Sequence, residues 1–232
     1  MRLDKFLCDC RLGTRSQIKK DIKAGLVTVN DVKALKPEQH IDEHTDRVCY
    51  KGQFCTYEEF VYYMLNKPAG VVSATEDKHD RTVIDLLSQE ERDDLFPVGR
   101  LDKDAEGLLI ITNDGALTHE LLSPAKHVEK EYECRLADPF DDRQKAQLEQ
   151  GVDIGEKALT KPAMVHVLDE KRILLTITEG KYHQVKRMLH AVGNEVVYLK
   201  RLRMGTLTLD QELPKGSYRR LTEEETENLR KC

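Results

Sequence analysis

Residues 96–115 carry the sequence FPVGRLDKDAEGLLIITNDG. Two acids, Asp102 and Asp104, stand in a glycine-punctuated loop just before an apolar run at residues 108–112, and that run predicts a strand. A loop fixed to a rigid strand aims its side chains at a ligand, and catalytic groups concentrate on such loops. The ordinary alternative is a surface turn with solvated acids. This stretch makes Asp102 the first candidate for a catalytic residue.

The composition limits the class of protein. With 232 residues, 39% hydrophobic and 34% charged, the chain suffices for one large and one small domain, or for two of medium size. No apolar run approaches the roughly 20 residues of a membrane helix, and the first residues do not form a signal peptide. We therefore expect a cytoplasmic protein that makes no membrane contact.

The cysteines do not indicate a disulfide framework or a metal site. None of the six falls in a C-x-x-C pair, and Cys8 and Cys10 have no second ligand pair at zinc-finger spacing. No glycine-rich phosphate loop or Ser-His-Asp pattern is present either. We expect no cofactor and no metal, so any chemistry must rest on side chains alone.

Basic residues are concentrated in two segments although the net charge is −5. Residues 1–25 contain seven bases and three acids, and residues 181–203 contain six bases and one acid. Because the phosphate backbone responds to local charge, both segments predict contacts with nucleic acid. Solvated helix faces would give either cluster alone.

Residues 1–58 predict a small module of two helices and a strand. Leu3, Phe6, Leu7 and Cys10 share one face of a short helix, and Ile18 and Ile22 share the buried side of a second helix over 17–24. Thr14 or Ser16 would cap that second helix, and Gly25 would end it. A strand entering a turn follows at 26–31, and the polar segment 51–59 predicts a linker.

Residues 59–232 predict a larger domain whose strands outnumber its helices. Strands are expected at 61–66, 108–112, 131–136, 161–167, 173–178 and 195–202, with helices at 83–87, 115–122, 142–150 and 183–191. A capping box at 222–225 begins a further helix. Since helices and strands do not alternate strictly, the fold class is α+β, with a mixed, mainly antiparallel sheet flanked by helices.

Two more segments contribute candidate site residues. In VEKEYECRL, residues 128–136, alternation places Tyr132 on an apolar face, where it either fills a core or stacks on a base. In EGKYHQVKRML, residues 179–189, a helix would bury Val185, Met188 and Leu189 and leave Lys186 half-buried. Such a lysine needs an acidic partner or extends to the solvent. His183 alone is a weak metal ligand.

These segments together resemble the pseudouridine synthases, in the branch that modifies ribosomal RNA and carries an N-terminal S4 domain. RLDKFL (2–7), TRSQ (14–17) and IKAGLVTVN (22–30) are similar to an S4 RNA-binding domain, and LNKPAGVVS (65–73) resembles the first strand and turn of the catalytic domain. The resemblance implies an S4-like domain over 1–58 and a catalytic domain over 59–232. It also implies a cofactor-independent isomerase that converts uridine to pseudouridine.

The resemblance also assigns roles to single residues. Asp102 is implied as the catalytic aspartate, Tyr132 as the stacking tyrosine, and Lys186 as the base paired with the aspartate. Arg100 is implied to enter the RNA stack where the uridine leaves. Asp104 is interpreted as a loop-structuring residue. Phosphate contacts are implied for Arg2, Lys5, Arg11, Arg15, Lys19 and Lys23, with Lys67, Arg187 and the arginines of 200–203 as further candidates.

The RNA target and two rival functions remain open. ALTKPA (158–163) and YRRLTEEE (218–225) look closest to the family members that act on uridine 516 of 16S rRNA, although members acting on 23S rRNA share the catalytic segments. We expect a monomer that binds ribosomal RNA within a small-subunit assembly intermediate. The rivals are a non-catalytic S4-type assembly protein and a Mg²⁺-dependent nucleotide hydrolase that uses Asp102 and Asp104.

Overall fold

The computed structural model describes residues 1–87, residue 92 and residues 94–232. The chain divides into two units, residues 1–61 with residue 92, and residues 62–87 with 94–232. The predicted α+β class is confirmed by the elements of both units. The change of unit falls after Val61, and the boundary predicted after residue 58 stays a prediction. No helix in the described part of the chain is long and apolar enough to cross a membrane.

The N-terminal unit joins two helices to a small antiparallel sheet. Its elements are α1 (Leu3–Asp9), α2 (Arg15–Lys23), β1 (Val27–Val29), β2 (Val32–Lys33), β3 (Val48–Tyr50) and β4 (Gln53–Phe54). The strands lie in the order β2-β1-β3-β4. The apolar faces of the two helices are buried together, since Leu3, Leu7, Ile18 and Ile22 are inaccessible to solvent.

Helix α2 begins and ends at the predicted signals. The Thr14 hydroxyl accepts a hydrogen bond from the Gln17 amide at 3.3 Å, as an N-cap does. Gly25 adopts a left-handed φ of 73°, and the Leu26 amide donates to the Asp21 carbonyl at 3.1 Å. These bonds satisfy carbonyls of the last turn and direct the chain into β1.

The predicted linker over 51–59 is wrong in its first half. Lys51 and Gly52 form a turn with φ values of 51° and 82°, and this turn joins β3 to β4. Positive φ at both central residues of a two-residue hairpin is the geometry that matches strand twist. The hairpin was not predicted because lysine rarely adopts a left-handed conformation.

The second unit is built on one large sheet. Its strands are β5 (Tyr62–Lys67), β6 (Phe96–Pro97), β7 (Glu106–Thr112), β8 (Lys130–Leu136), β9 (Met164–Asp169), β10 (Arg172–Ile177), β11 (Val196–Met204), β12 (Leu207–Thr208) and β13 (Tyr218–Arg220). Its helices are α3 (Gly115–Leu122), α4 (Asp142–Gln150), α5 (Gln184–Ala191) and α6 (Glu223–Leu229). The predicted helix over 83–87 is a single 3₁₀ turn, Ile84–Leu87. The capping box before α6 is confirmed.

The strand order brings distant segments into one row. The order is β13-β5-β7-β11-β8-β10-β9, with β6 on β7 and β12 on β11. Among the described strands, β7 and β11 form the one parallel pair, so the sheet is mainly antiparallel as predicted. Across the sheet Lys67 pairs with Gly107, Gly107 with Arg201, and Arg201 with Tyr132. Gly107 in this row lies on β7, the strand that follows the Asp102 loop.

Gly107 is required where β7 lies beside β11. Its φ is 99°, and a Cβ atom there would meet the Arg201 carbonyl oxygen at 2.2 Å. Backbone atoms of a central strand have no room to yield. We therefore expect Gly107→Ala to lower the free energy of unfolding by about 3 kcal/mol or more, as measured by urea denaturation.

Gly115→Ala is the matched control, because nothing lies within 4 Å of its missing Cβ and its φ is not positive. This control should be neutral or stabilising by up to about 1 kcal/mol. Similar unfolding curves for both variants would contradict the close approach of β7 and β11.

Candidate active site

A cavity of about 810 Å³ opens in the second unit beside Arg201 and Tyr132 of the row. Its walls include residues from all three sequence segments that carried the chemistry. Asp102 comes from the loop before β7, Tyr132 from β8, and Lys186 from α5. The structure therefore brings together the three residues that the resemblance implied as catalytic.

Asp102 lies between two basic side chains. Its Oδ2 is 3.2 Å from the Lys186 ammonium, and its Oδ1 is 3.4 Å from Nε2 of His183. The carboxyl group is about a quarter exposed, toward the cavity. A carboxylate placed this way is held in one orientation and remains accessible to a ligand.

Asp104 lies in the same loop and also pairs with Lys186, and its predicted loop-structuring role stays a prediction. Its two oxygens accept hydrogen bonds from the Lys186 ammonium at 2.6 and 2.8 Å. Those bonds lower the pKa of Asp104, against the opposing effect of burial. Burial alone would lower the pKa of Lys186, but its bonds to Asp104 and Asp102 outweigh burial and raise it. The Lys186 ammonium thus pairs with both carboxylates.

His183 is a site residue that the sequence analysis missed. It caps α5 in a left-handed conformation with φ 46° and ψ 37°, which is uncommon for a residue other than glycine. Its ring stacks on Tyr182 with centroids 3.9 Å apart, while Nε2 faces Asp102. The only signal in the sequence was its position just before the helix that carries Lys186.

The prediction that Lys67 contacts phosphate is wrong. Lys67 is fully buried, and its ammonium donates to the carbonyls of Pro68, Asp102 and Ala105 at 3.1, 3.0 and 2.8 Å, with Lys103 at 3.4 Å. Burial lowers its pKa to about 8, so the amine is still charged at neutral pH. The lysine holds the backbone of the Asp102 loop and cannot reach RNA.

Two neighbours of Lys67 hold the same loop. The Gly70 amide donates to the Lys103 carbonyl at 2.7 Å. The Ser73 hydroxyl donates to the Leu101 carbonyl at 2.9 Å and accepts from the Leu101 amide at 3.1 Å. Residues 67–73 therefore position the backbone on both sides of Asp102.

Tyr132 lines the cavity from β8. Its side chain is 7% exposed, and its hydroxyl forms no hydrogen bond with any residue in the described part of the chain. Alternation along β8 buries Lys130, Tyr132 and Cys134 on the same face, as the sequence predicted for the last two. The ring is therefore packed and still open to a ligand.

The basic segment 181–203 is not a free basic surface. Arg187 donates to the Ile154 and Tyr182 carbonyls and pairs with Glu156 at 3.0 Å, and its predicted role in RNA binding stays a prediction. Arg201 is 2% exposed and lines the cavity, so it is not an arginine of the outer surface. Lys181 pairs with Glu179, and Arg203 pairs with Glu129.

The other predicted RNA contacts lie closer to solvent. In the N-terminal unit Lys5, Arg15, Lys19 and Lys23 are exposed, and Arg2 and Arg11 are half-buried. Arg2 and Arg15 both pair with the buried Asp4, at 2.9 and 3.6 Å. In the second unit Arg100 is exposed on the cavity wall.

Models of two protein families match the chain. Residues 61–191 match the family described as RNA pseudouridylate synthase, and residues 1–48 match the S4 domain. The first match covers the three segments that line the cavity, and the second covers α1, α2, β1 and β2 of the N-terminal unit.

Similar proteins match over nearly the whole chain. An uncharacterized RNA pseudouridine synthase of Bacillus subtilis is 51% identical, covering 97% of this chain and 96% of the relative. A protein of Vibrio cholerae named ribosomal small subunit pseudouridine synthase A is 45% identical, covering 99% of each. A solved pseudouridylate synthase is 40% identical with a TM-score of 0.71, covering 99% of each chain.

Replacing Lys67 tests the support of the Asp102 loop. Lys67→Met removes the donor shared by the carbonyls of Pro68, Asp102 and Ala105, so we expect a loss of about 3 kcal/mol in the free energy of unfolding. Hydrogen exchange at the Gly70 and Ala105 amides should also accelerate.

Lys103→Met is the control from the same loop, because Lys103 forms an exposed pair with Asp80 at 2.7 Å. The control should lose less than about 1 kcal/mol. Equal stability of the two variants would show that the buried ammonium does not hold the loop.

Proposed function

The chain belongs to the RNA pseudouridylate synthase family, and we propose that it isomerises one uridine of ribosomal RNA to pseudouridine. The observation that carries this proposal is the placement of Asp102 between Lys186 and His183 on the wall of a cavity that Tyr132 also lines. The N-terminal S4 domain and the relatives named for the ribosomal small subunit support an rRNA substrate. The target we propose is uridine 516 of 16S rRNA.

The reaction needs only side chains of the kind found here. The bond between uracil N1 and ribose C1′ breaks, the base turns, and C5 joins C1′. Asp102 either attacks the sugar or base, or removes a sugar proton, and its position on the cavity wall serves each route. Lys186 holds the carboxylate in one orientation, because its ammonium lies 3.2 Å from Oδ2.

Tyr132 and Arg100 have complementary proposed roles. The base of a nucleotide turned out of the RNA would stack on the Tyr132 ring, which faces the cavity. The exposed Arg100 guanidinium, two residues before Asp102, would occupy the space left in the RNA stack. Stacking of the base on Tyr132 and insertion of Arg100 into the RNA stack together offset part of the few kcal/mol that it costs to unstack the uridine.

The geometry disfavours both rival functions. A scaffold without catalysis has no use for an acid held between two bases at a cavity. A magnesium-dependent hydrolase would need free carboxylates, but the Lys186 ammonium already contacts both Asp102 and Asp104. Activity that persists in excess chelator would remove the hydrolase from consideration.

Mapping pseudouridine tests the reaction and the target together. We expect ribosomal RNA from cells lacking the protein to lose pseudouridine at one position, uridine 516 of 16S rRNA. The wild-type protein should restore it, whereas Asp102→Asn should not, because the amide is neither a nucleophile nor a base.

The Asp102→Asn protein should still fold and bind RNA with an affinity within about twofold of the wild type, since the amide keeps the carboxyl volume. Turnover by this variant would refute the assignment of Asp102. Loss of pseudouridine at a 23S position instead would move the target to the large subunit.

The salt dependence of RNA binding tests the S4 domain. Lys19 and Lys23 are exposed on α2, and each phosphate contact adds about 0.9 to the slope of log K against log salt for a duplex, or about 0.7 for a single strand. We expect Lys19→Gln combined with Lys23→Gln to reduce the slope by about 1.5 in filter-binding titrations.

Lys145→Gln on α4 is the control, because Lys145 belongs to the second unit and makes only an i,i+4 pair with Glu149. It should leave the slope unchanged. An unchanged slope in the α2 double variant would show that these lysines do not contact phosphate.

A further inference from the structure

Lys130 is a buried lysine on the cavity wall that the reaction scheme above does not use. Its side chain is 7% exposed, and its ammonium donates to the Val128 carbonyl at 3.0 Å. Lys130 lies two residues before Tyr132 on the same face of β8, and both residues line the cavity. No carboxylate in the described part of the chain forms an ion pair with it.

Arg201 is a second buried cation at this wall. It is 2% exposed, and its Nε donates to the Leu108 carbonyl at 2.7 Å. Its Nη2 is buried and has no hydrogen-bond partner among the described residues. Arg201 pairs with Tyr132 across β8 and β11, and it also lines the cavity.

The two charges repel each other and lack a counterion within the described residues. Burial and the charge of Arg201 lower the pKa of Lys130 to about 8, and the amine therefore remains charged at neutral pH. Buried charges are normally paired, because desolvation without a partner is costly. A cavity wall that keeps two unpaired cations suits a ligand that brings negative charge.

We propose that Lys130 and Arg201 bind the carbonyl oxygens of the uracil base and stabilise the negative charge that the base carries while it is detached from ribose. The proposal deepens the proposed function and rests on it. When the N1–C1′ bond breaks, its electron pair stays on uracil and spreads onto O2 and O4. When C5 joins C1′, the proton lost from C5 is balanced by the proton gained at N1. Cations fixed beside those oxygens favour the detached base over the intact nucleotide.

The positions of Lys130 and Arg201 favour the uracil base over a phosphate as their ligand. Lys130 and Arg201 flank Tyr132, the residue proposed to stack on the base, and both are more than nine-tenths buried. The phosphates of a turned-out nucleotide remain connected to the strand outside, where the exposed Arg100 lies. A phosphate contact would contribute to RNA affinity, whereas stabilisation of the detached base would contribute to rate.

Lys130→Met in the full-length protein distinguishes a contact with phosphate from stabilisation of the detached base. Under single-turnover conditions with the ribosomal RNA substrate, we expect the rate constant to fall about 100-fold while the RNA Kd stays within about twofold. The free energy of unfolding should be unchanged or higher, because methionine replaces an unpaired buried charge with an apolar group of similar length. Lys126→Met, at an exposed lysine, is the control and should change none of these quantities.

A second substrate distinguishes a catalytic role from a structural one. In RNA with 5-fluorouridine at the target, fluorine withdraws charge from the detached base, so the loss caused by Lys130→Met should shrink to about tenfold for cleavage of the N1–C1′ bond. Arg201→Gln should show the same dependence on fluorine.

An unchanged rate in Lys130→Met would overturn the proposal, as would a weaker Kd with an unchanged rate, which indicates phosphate contact. Equal losses on both substrates would also overturn it, because they indicate a structural defect. Failure of the proposed function appears differently, since the wild-type protein would then convert no uridine, and both proposals would fall.

Discussion

The ammonium of Lys67 is the interaction on which the active site depends. It connects the end of β5 to the carbonyls of Asp102, Lys103 and Ala105, which belong to a loop that would otherwise be a glycine-bordered surface turn. A buried cation costs free energy unless its donors are satisfied, and here backbone carbonyls satisfy them. The side chain of Asp102 is therefore not needed to hold the loop, because the backbone is held by other groups.

Pairing across the sheet also fixes the residues beside Lys67. Lys67 pairs with Gly107, and the missing side chain of Gly107 lets the Arg201 backbone approach. Arg201 in turn pairs with Tyr132, so one row of the sheet fixes the loop, the buried cation and the Tyr132 ring relative to one another. Strand register is rigid on this scale, since a shift by one residue would turn every side chain of the strand to the other face.

Local signals were enough to predict much of the fold, whereas the roles of three site residues came from the resemblance. The Thr14 cap, the Ile18 and Ile22 stripe and the capping box before α6 depend on neighbours in sequence, and the structure confirms them. The alternation through Tyr132 was also a local signal. The catalytic roles of Asp102, Tyr132 and Lys186 stay predictions that the geometry supports.

What the sequence could not predict depends on partners far away in the chain. The segment 181–203 looked like a basic surface because the acids that pair with it, Asp102, Glu129 and Glu156, lie elsewhere in the sequence. Lys67 looked like a surface lysine because its burial depends on a strand covered on both faces. The hairpin at Lys51 and Gly52 depends on a left-handed lysine that pairing of β3 with β4 enforces.

The exposed cations of the S4 domain and the cations at the cavity differ in how strongly salt screens them. Exposed cations of the S4 domain, such as Lys19 and Lys23, act through solvent, where salt screens them over about 10 Å at 0.1 M. Lys186, Lys130 and Arg201 at the cavity are instead paired or buried, and buried charges are screened much less. Rising salt would therefore release the RNA long before it altered the field at Asp102.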